Sequence, residues 1–389
     1  MLAPLAQAHL PEGIRARHIL HVNGLRMHIL EAGEAGRPLL LLLHGFPELA
    51  YSWRNIMLPL AERGYHVVAP DQRGYGRTEG PVPVYDEDLT PYRPLGYVRD
   101  ALALVAALGH TEVACVIGHD FGAPVAGNAA LTRPDVFRSV VMMSAPYGGP
   151  RAWPLGEQPA PEGLAGLASP ELHAALARLD PPRRHYQWFY SMREADADMH
   201  HAPQGLHAFL RAYYHHKSAD WAANKPHPLA AFTAEALAVM PTYYIMPAGI
   251  GMAETVAAEM PDAASIAANT WLPEAALAVY AEEYGRTGFQ GGLQSYRCTT
   301  SGQAAAEMRL FAGRGIAVPA CFIAGASDWG IHQKPGEFEL MQGQTSQGGG
   351  CRDLRGCHLV PGAGHWVQQE QAGQVVELIR DFLHQLSSR

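Results

Sequence analysis

Leu39–Leu43 is an unbroken run of five leucines, led in by Pro38 and stopped by His44 and Gly45. A strand with no polar alternation is covered on both faces, as in a parallel sheet flanked by helices. The neighbouring sequence agrees. A helical stretch over about 52–63 precedes a strand at 65–69. A helix near 97–108, a strand at 112–118, a helix from about Asp120 and a strand near 139–143 follow. This alternation predicts a doubly wound sheet. Ahead of it, apolar runs at 16–22 and 25–31 are joined by Asn23 and Gly24, a strong hairpin signal.

The rhythm breaks after Ala145. From about 147 to 300 the chain is rich in Ala, aromatic residues, Pro and helical patterns. It resumes with strands at 318–324 and within 351–360. A last helix places Val375, Val376, Ile379, Phe382, Leu383 and Leu386 on one face. The expected organisation is an α/β core of 1–147 and 301–389, interrupted by a helical domain at 148–300. The segment 342–350, QGQTSQGGG, is expected to be a flexible surface loop.

Composition narrows the function classes. Lys plus Arg is 29 against 37 Asp plus Glu, a formal net charge of −8. No basic run of five occurs, so a nucleic-acid partner is not expected. No apolar stretch approaches the length of a membrane span and the N-terminus lacks a charged leader, so neither a membrane nor a secretory role is expected. The five cysteines fit no zinc or disulfide framework, so free thiols and a cytoplasmic location are expected, a Cys351–Cys357 bridge being the alternative. His200 with His201 and His215 with His216 lack the spacing of a metalloenzyme motif. No metal and no cofactor is expected.

The strand at 112–118 runs into GHDFG at 118–122, a G-x-D-x-G between strand and helix. A turn this sharp needs small flanking residues if its central side chain is to project above the sheet. The usual centre is Ser; here it is Asp120. A carboxylate attacks carbonyl carbon poorly but can displace a leaving group from a saturated carbon, leaving an ester on the enzyme. Asp at this place also suits a helix N-cap. Chain order favours the nucleophile. Asp328 follows the strand at 318–324, and His365 in GAGHW follows the next strand. The order Asp120, Asp328, His365 is that of α/β-hydrolases. After Leu43, the HGFPE turn at 44–48 can aim the N–H of Phe46 at the elbow, with the N–H of Phe121 as the second oxyanion-hole donor.

With these motifs in place, the sequence resembles the α/β-hydrolase-fold epoxide hydrolases over nearly its whole length. HGFPE at 44–48, SWR at 52–54, DQRGYG at 71–76, GHDFG at 118–122, the GASDWG segment at 325–330 and GAGHW at 362–366 stand in family order. The resemblance implies a mostly parallel doubly wound sheet with an inserted helical cap domain. Tyr186 in HYQWFYS and Tyr296 in GGLQSYR match the two cap tyrosines that act as acids in that family. Three departures are evident, one being the loop 342–350, which widens the gap between Asp328 and His365. Ser295 replaces a frequent aromatic, and the stretch between the tyrosines is longer than usual, with the excess near 240–269.

The resemblance implies a vicinal-diol product formed in two steps. Asp120 would attack the epoxide while Tyr186 and Tyr296 hold its oxygen. His365, oriented by Asp328, would then activate water to hydrolyse the ester over the N–H groups of Phe46 and Phe121. Histidine, with an ordinary pKa of about 6.5, suits a base at neutral pH. From position, Tyr147, Trp188 and Trp329 are expected to line an apolar pocket together with Phe46 and Phe121; Trp366 is a similar case, and each would serve equally as core. The partner expected is a small apolar epoxide, and a homodimer is left open.

The nearest rival is a haloalkane or haloacid dehalogenase using the same Asp120, Asp328 and His365. Phe121 carries no side-chain donor for a departing halide, which weakens it. A non-catalytic binding protein on this fold is argued against by the complete triad and tyrosine pair. A serine esterase lacks its G-x-S-x-G here.

Overall fold

The computed structural model describes residues 1–150, 169–343 and 350–387. Most of the loop expected at 342–350, and 151–168 of the inserted region, lie outside the described residues.

Ten strands are described: β1 (Arg15–Val22), β2 (Leu25–Ala32), β3 (Leu39–Leu43), β4 (His66–Pro70), β5 (Cys115–His119), β6 (Val140–Met143), β7 (Arg183–His185), β8 (Ile245–Pro247), β9 (Ile316–Gly325) and β10 (Cys351–Val360). Eight form one sheet in the order β1-β2-β4-β3-β5-β6-β9-β10. β1, β2 and β4 pair antiparallel, and every pairing from β4 to β10 is parallel. Asn23 and Gly24 turn the first hairpin with positive φ at both positions, as the Asn-Gly pair predicts. β3, β4, β5 and β6 are buried at every residue, which is why their sequences show no alternation.

Helices Arg54–Ala61 and Ala372–Ser387 pack together on one side of the sheet; Pro94–Ala107 and Gly122–Thr132 pack together on the other. Pro94 opens its helix at the first turn, where a missing N–H costs nothing. In the last helix Val375, Ile379, Phe382 and Leu383 are buried, as its period requires.

The strand order reverses at β3, with β4 on one side and β5 on the other. In such sheets the crevice beyond the carboxyl ends at the reversal is where ligands bind. His44 to Phe46 leave β3 there, and Asp120 leaves β5. Ser144, Asp328 and His365 follow β6, β9 and β10.

The region between β6 and β9 is largely helical and rests on that edge. The Tyr214 hydroxyl donates to the Pro47 carbonyl at 2.9 Å, and the Tyr284 hydroxyl to that of Glu48 at 3.1 Å. One feature of it was not foreseen from sequence: a two-stranded antiparallel ribbon of β7 and β8. β8 falls inside the long segment near 240–269. The ribbon ends where Tyr186 begins, and the Tyr186 N–H donates to the Tyr244 carbonyl at 2.8 Å. The 240–269 segment therefore builds part of the support for Tyr186.

All five cysteines are free thiols, so no Cys351–Cys357 bridge forms. Among the described residues, no helix is long and apolar enough to cross a membrane, and no group of three or more metal-ligating side chains occurs.

Candidate active site

Asp120 has φ of +49°, a left-handed conformation that an L-residue adopts at a cost. The corner is held by close backbone contacts. A Cβ on Gly118 would stand 2.0 Å from the Gly122 carbonyl oxygen, and one on Gly122 would stand 2.1 Å from that of Leu43. Only glycines let the helix start this close to β3 and β5. The side chain is thereby lifted off the sheet, where Oδ1 accepts the Phe46 N–H at 2.9 Å. Asp120 does not act as the N-cap. Phe121 occupies that position, and no side-chain cap bond is made there.

His365 Nε2 lies 3.3 Å from Asp120 Oδ2. Its other nitrogen, Nδ1, lies 3.2 Å from Asp328 Oδ1 and 2.9 Å from the Ser144 hydroxyl. That hydroxyl also donates to Asp328 Oδ2 at 2.5 Å, so two linked side chains, Ser144 and Asp328, fix the imidazole's far edge. Asp328 Oδ1 further accepts the Gly330 N–H at 2.7 Å. Burial alone would raise the Asp120 carboxyl. The facing His365, with Lys217 and His119 behind it, holds it well below the usual carboxylate range instead. Burial likewise opposes the charge on Asp328, and His365 and Ser144 outweigh it.

A second buried pair supports His365 from beneath. His119 Nδ1 lies 2.6 Å from Glu48 Oε2, and its Nε2 lies 2.7 Å from the His365 carbonyl. An ionised carboxylate and a carbonyl only accept, so both imidazole nitrogens donate and His119 is an imidazolium. Burial works against that charge, and Glu48 raises the His119 pKa nonetheless. Gln368 and Gln369 complete the shell of Glu48 through Oε1 at 2.8 and 3.0 Å.

Tyr186 and Tyr296 face the same cavity as Asp120 and Phe121. Their rings are 5.9 Å apart and nearly perpendicular. The Tyr296 ring lies 5.5 Å from that of Phe46. Two glycines before it permit this approach: a Cβ on Gly291 would strike the Gly74 backbone, and one on Gly292 the Phe46 ring. The GGL and DQRGYG motifs thus meet in space. The Tyr186 hydroxyl accepts from Gln187 Nε2 at 3.1 Å. Burial, and then the charge of Asp120, push both phenols well above their ordinary pKa, so both remain protonated donors.

The cavity measures about 210 Å³ and includes Tyr97, Val125, Asn128, Gln187, Gln333 and Lys334 on its walls. Of the expected pocket residues Phe121 lines it, whereas Phe46, Tyr147, Trp188 and Trp329 do not. The Tyr147 hydroxyl donates to Asn128 Oδ1 at 2.8 Å, so it supports a wall residue from behind. Trp188 stacks on His173 with ring centroids 4.6 Å apart, because two residues along a helix from Tyr186 is nearly the opposite face. Trp329 packs edge-on against His227. Trp366 lies buried against His365 and Tyr214. His200 and His201 stack on each other, and His216 packs against Trp221 and Tyr243.

Sequence reading missed Ser144, Lys217, Gln187 and the Glu48–His119 pair. Ser144 carried one usable signal, its place just beyond a parallel strand.

Residues 38–372 match the family model of the α/β hydrolase fold. Epoxide hydrolase A of Mycobacterium tuberculosis is 31% identical over 380 residues, covering 97% of this chain and all of that one. Epoxide hydrolase B of the same organism is 32% identical over 379 residues, 95% of this chain and 98% of that one. Among solved structures, an epoxide hydrolase from an endophytic Streptomyces superposes with a TM-score of 0.75 at 30% identity, covering 97% of each chain. Epoxide hydrolase I of potato does so at 0.70 and 29%, covering 96% of this chain and 99% of that one. With the carboxylate elbow, the paired tyrosines and these relatives in view, the chain belongs to the epoxide hydrolases of the α/β-hydrolase fold family.

Proposed function

We propose that this epoxide hydrolase makes vicinal diols through a covalent ester on Asp120. The observation that carries the reading is that Asp120, Tyr186 and Tyr296 line one cavity, so an epoxide there meets a carboxylate on one side and two phenol donors on the other. With Asp120 Oδ1 held by the Phe46 N–H, Oδ2 is the oxygen left to attack. It bonds to a ring carbon, the C–O bond breaks, and its electron pair stays on the epoxide oxygen. Tyr186 and Tyr296 donate to that oxygen as the charge develops.

His365 Nε2 then takes a proton from water, whose oxygen attacks the Asp120 carboxyl carbon. Asp328 and Ser144 hold the imidazole as it becomes charged. The oxyanion that forms rests on the Phe46 N–H, with the N–H of Phe121 as the second donor. Collapse breaks the acyl C–O bond: the leaving oxygen takes the proton held by His365, the phenol that protonated the first alkoxide recovers the remaining water proton, and the diol departs from a carboxylate that keeps one oxygen from water. The same reading makes 148–300 a cap over a core of 1–147 and 301–389, sheltering the reaction from bulk solvent. The five free thiols suit a reducing, cytoplasmic setting.

The test is a single turnover in ¹⁸O-water with styrene oxide. The first diol formed should carry unlabelled oxygen from Asp120, and the label should appear in the protein. Label in the diol on the first turnover would mean direct attack by water. His365→Gln should trap the ester, detectable by mass. The dehalogenase reading would be favoured only by halide release from a chloroalkane without diol formation from the epoxide.

A further inference from the structure

Lys217 is one of only three lysines in the chain, beside Lys225 and Lys334. It ends the helix Leu206–Lys217 and is 3% exposed. Its ammonium lies 5.3–5.7 Å from the centroids of four rings, those of Tyr213, Tyr243, Tyr244 and Trp366. Glu48, Asp120 and Asp328 act on it through space rather than by contact. Its carbonyl accepts the His365 N–H at 2.9 Å. A buried ammonium costs desolvation, of which ring faces restore only part. An apolar side chain would fill the same cage without that cost.

The charge count explains what the cation does. Glu48, Asp120 and Asp328 put three carboxylates around His119 and His365 in a dry site. His119 is already an imidazolium. Without a further cation, the surplus of negative charge would draw a proton onto His365. A protonated His365 would pair with Asp120, dulling the nucleophile, and could take no proton from water. The other groups around Lys217 cannot supply the charge. Burial holds His216 down at about 3, and burial raises the phenols of Tyr213, Tyr243 and Tyr244.

We propose that Lys217 is a positioning residue that acts through Asp120 and His365: its ring-caged ammonium is the fixed charge that lets Asp120 stay ionised while His365 remains free to accept a proton. This rests on the two-step reading above.

The test compares pH profiles of Lys217→Met and Lys217→Arg with the parent, on styrene oxide. In K217M the acid limb of kcat should move up by about one pH unit. Well below the displaced limb kcat should then fall by up to about tenfold, with KM falling as the ester accumulates, and should recover above it. K217R should keep the parent's limb. An unmoved limb in K217M overturns the proposal, as does an equal shift in K217R. Should K217M fail to fold, ¹³C-lysine NMR of the parent decides. The Lys217 signal is assigned by substituting the exposed Lys225 and Lys334 with Arg. An ammonium at pH 7 supports the proposal; a neutral amine overturns it. Failure of the two-step reading would look different, since the parent would form no diol or would take its first label from water.

Discussion

The Ser144 hydroxyl donates to Asp328 Oδ2 at 2.5 Å, placing a neutral oxygen beside the carboxylate that orients His365. Ser144 itself stands at φ of +70°, a strained position that the end of β6 imposes. The hydroxyl shares His365 Nδ1 with Asp328 and so fixes the ring's tilt toward Asp120. Ser144→Ala should slow ester hydrolysis by about tenfold while leaving ester formation near its parent rate. Stopped-flow tryptophan fluorescence separates the two phases. Equal slowing of both would remove the assigned role.

The tyrosine pair makes a second prediction. Each phenol is a protonated donor facing the carboxylate across one cavity. Tyr296→Phe should lower the ester-forming rate by about 10²-fold, as loss of one oxyanion donor does elsewhere. Tyr186→Phe should act in the same direction. Hydrolysis of an ester already formed should change little in either variant. Pre-steady-state rates on styrene oxide check this.

Glu370 sets a pH dependence of stability. Its carboxylate accepts the N–H groups of Ala219 and Gly364 through Oε2 and that of Trp366 through Oε1, bracketing the His365 loop. Burial pushes it up to about 7 despite those donors. The folded chain therefore holds a proton that the unfolded chain releases near 4.5. Stability from this group is present below that value and is lost as pH rises through about 7. Glu370→Gln should flatten this interval and, having one acceptor oxygen for three N–H groups, cost about 1–3 kcal/mol. Urea unfolding at pH 5 and pH 7.5 measures both effects.

Asp71 behaves in the opposite sense. It accepts the N–H groups of Ala50 and Arg77 at 2.9 Å each, and pairs with His28 at 2.8 Å. Burial opposes its charge, and His28 with these donors brings it down to about 2. Its contribution is complete above about 4 and disappears as pH falls through about 2. Asp71→Asn should cost about 2 kcal/mol at neutral pH and leave a shallower acid transition. Acid titration followed by circular dichroism reads the difference.

Much of this was legible in the sequence because the fold places its chemistry where strands end. Asp120, Asp328 and His365 each sit just past an apolar run, and motif glycines mark the corners. Tyr296 was legible for the same reason, since Gly291 and Gly292 are demanded by the backbone they touch. What stayed hidden depends on direction and distance. Trp188 lies two residues from Tyr186 in sequence and on another face in space. Lys217 and Ser144 meet His365 across more than a hundred residues of sequence, which no local pattern encodes. The β7 and β8 ribbon was hidden because three-residue strands carry too little alternation to register.

The His365 N–H bonded to the Lys217 carbonyl has an evolutionary consequence. His365 borrows part of its anchorage from the inserted helices, so the two halves cannot drift apart freely. Exchanging the insertion for that of a relative would recast the selectivity of the chamber, but only donors that return an acceptor to that spot would leave the chemistry running.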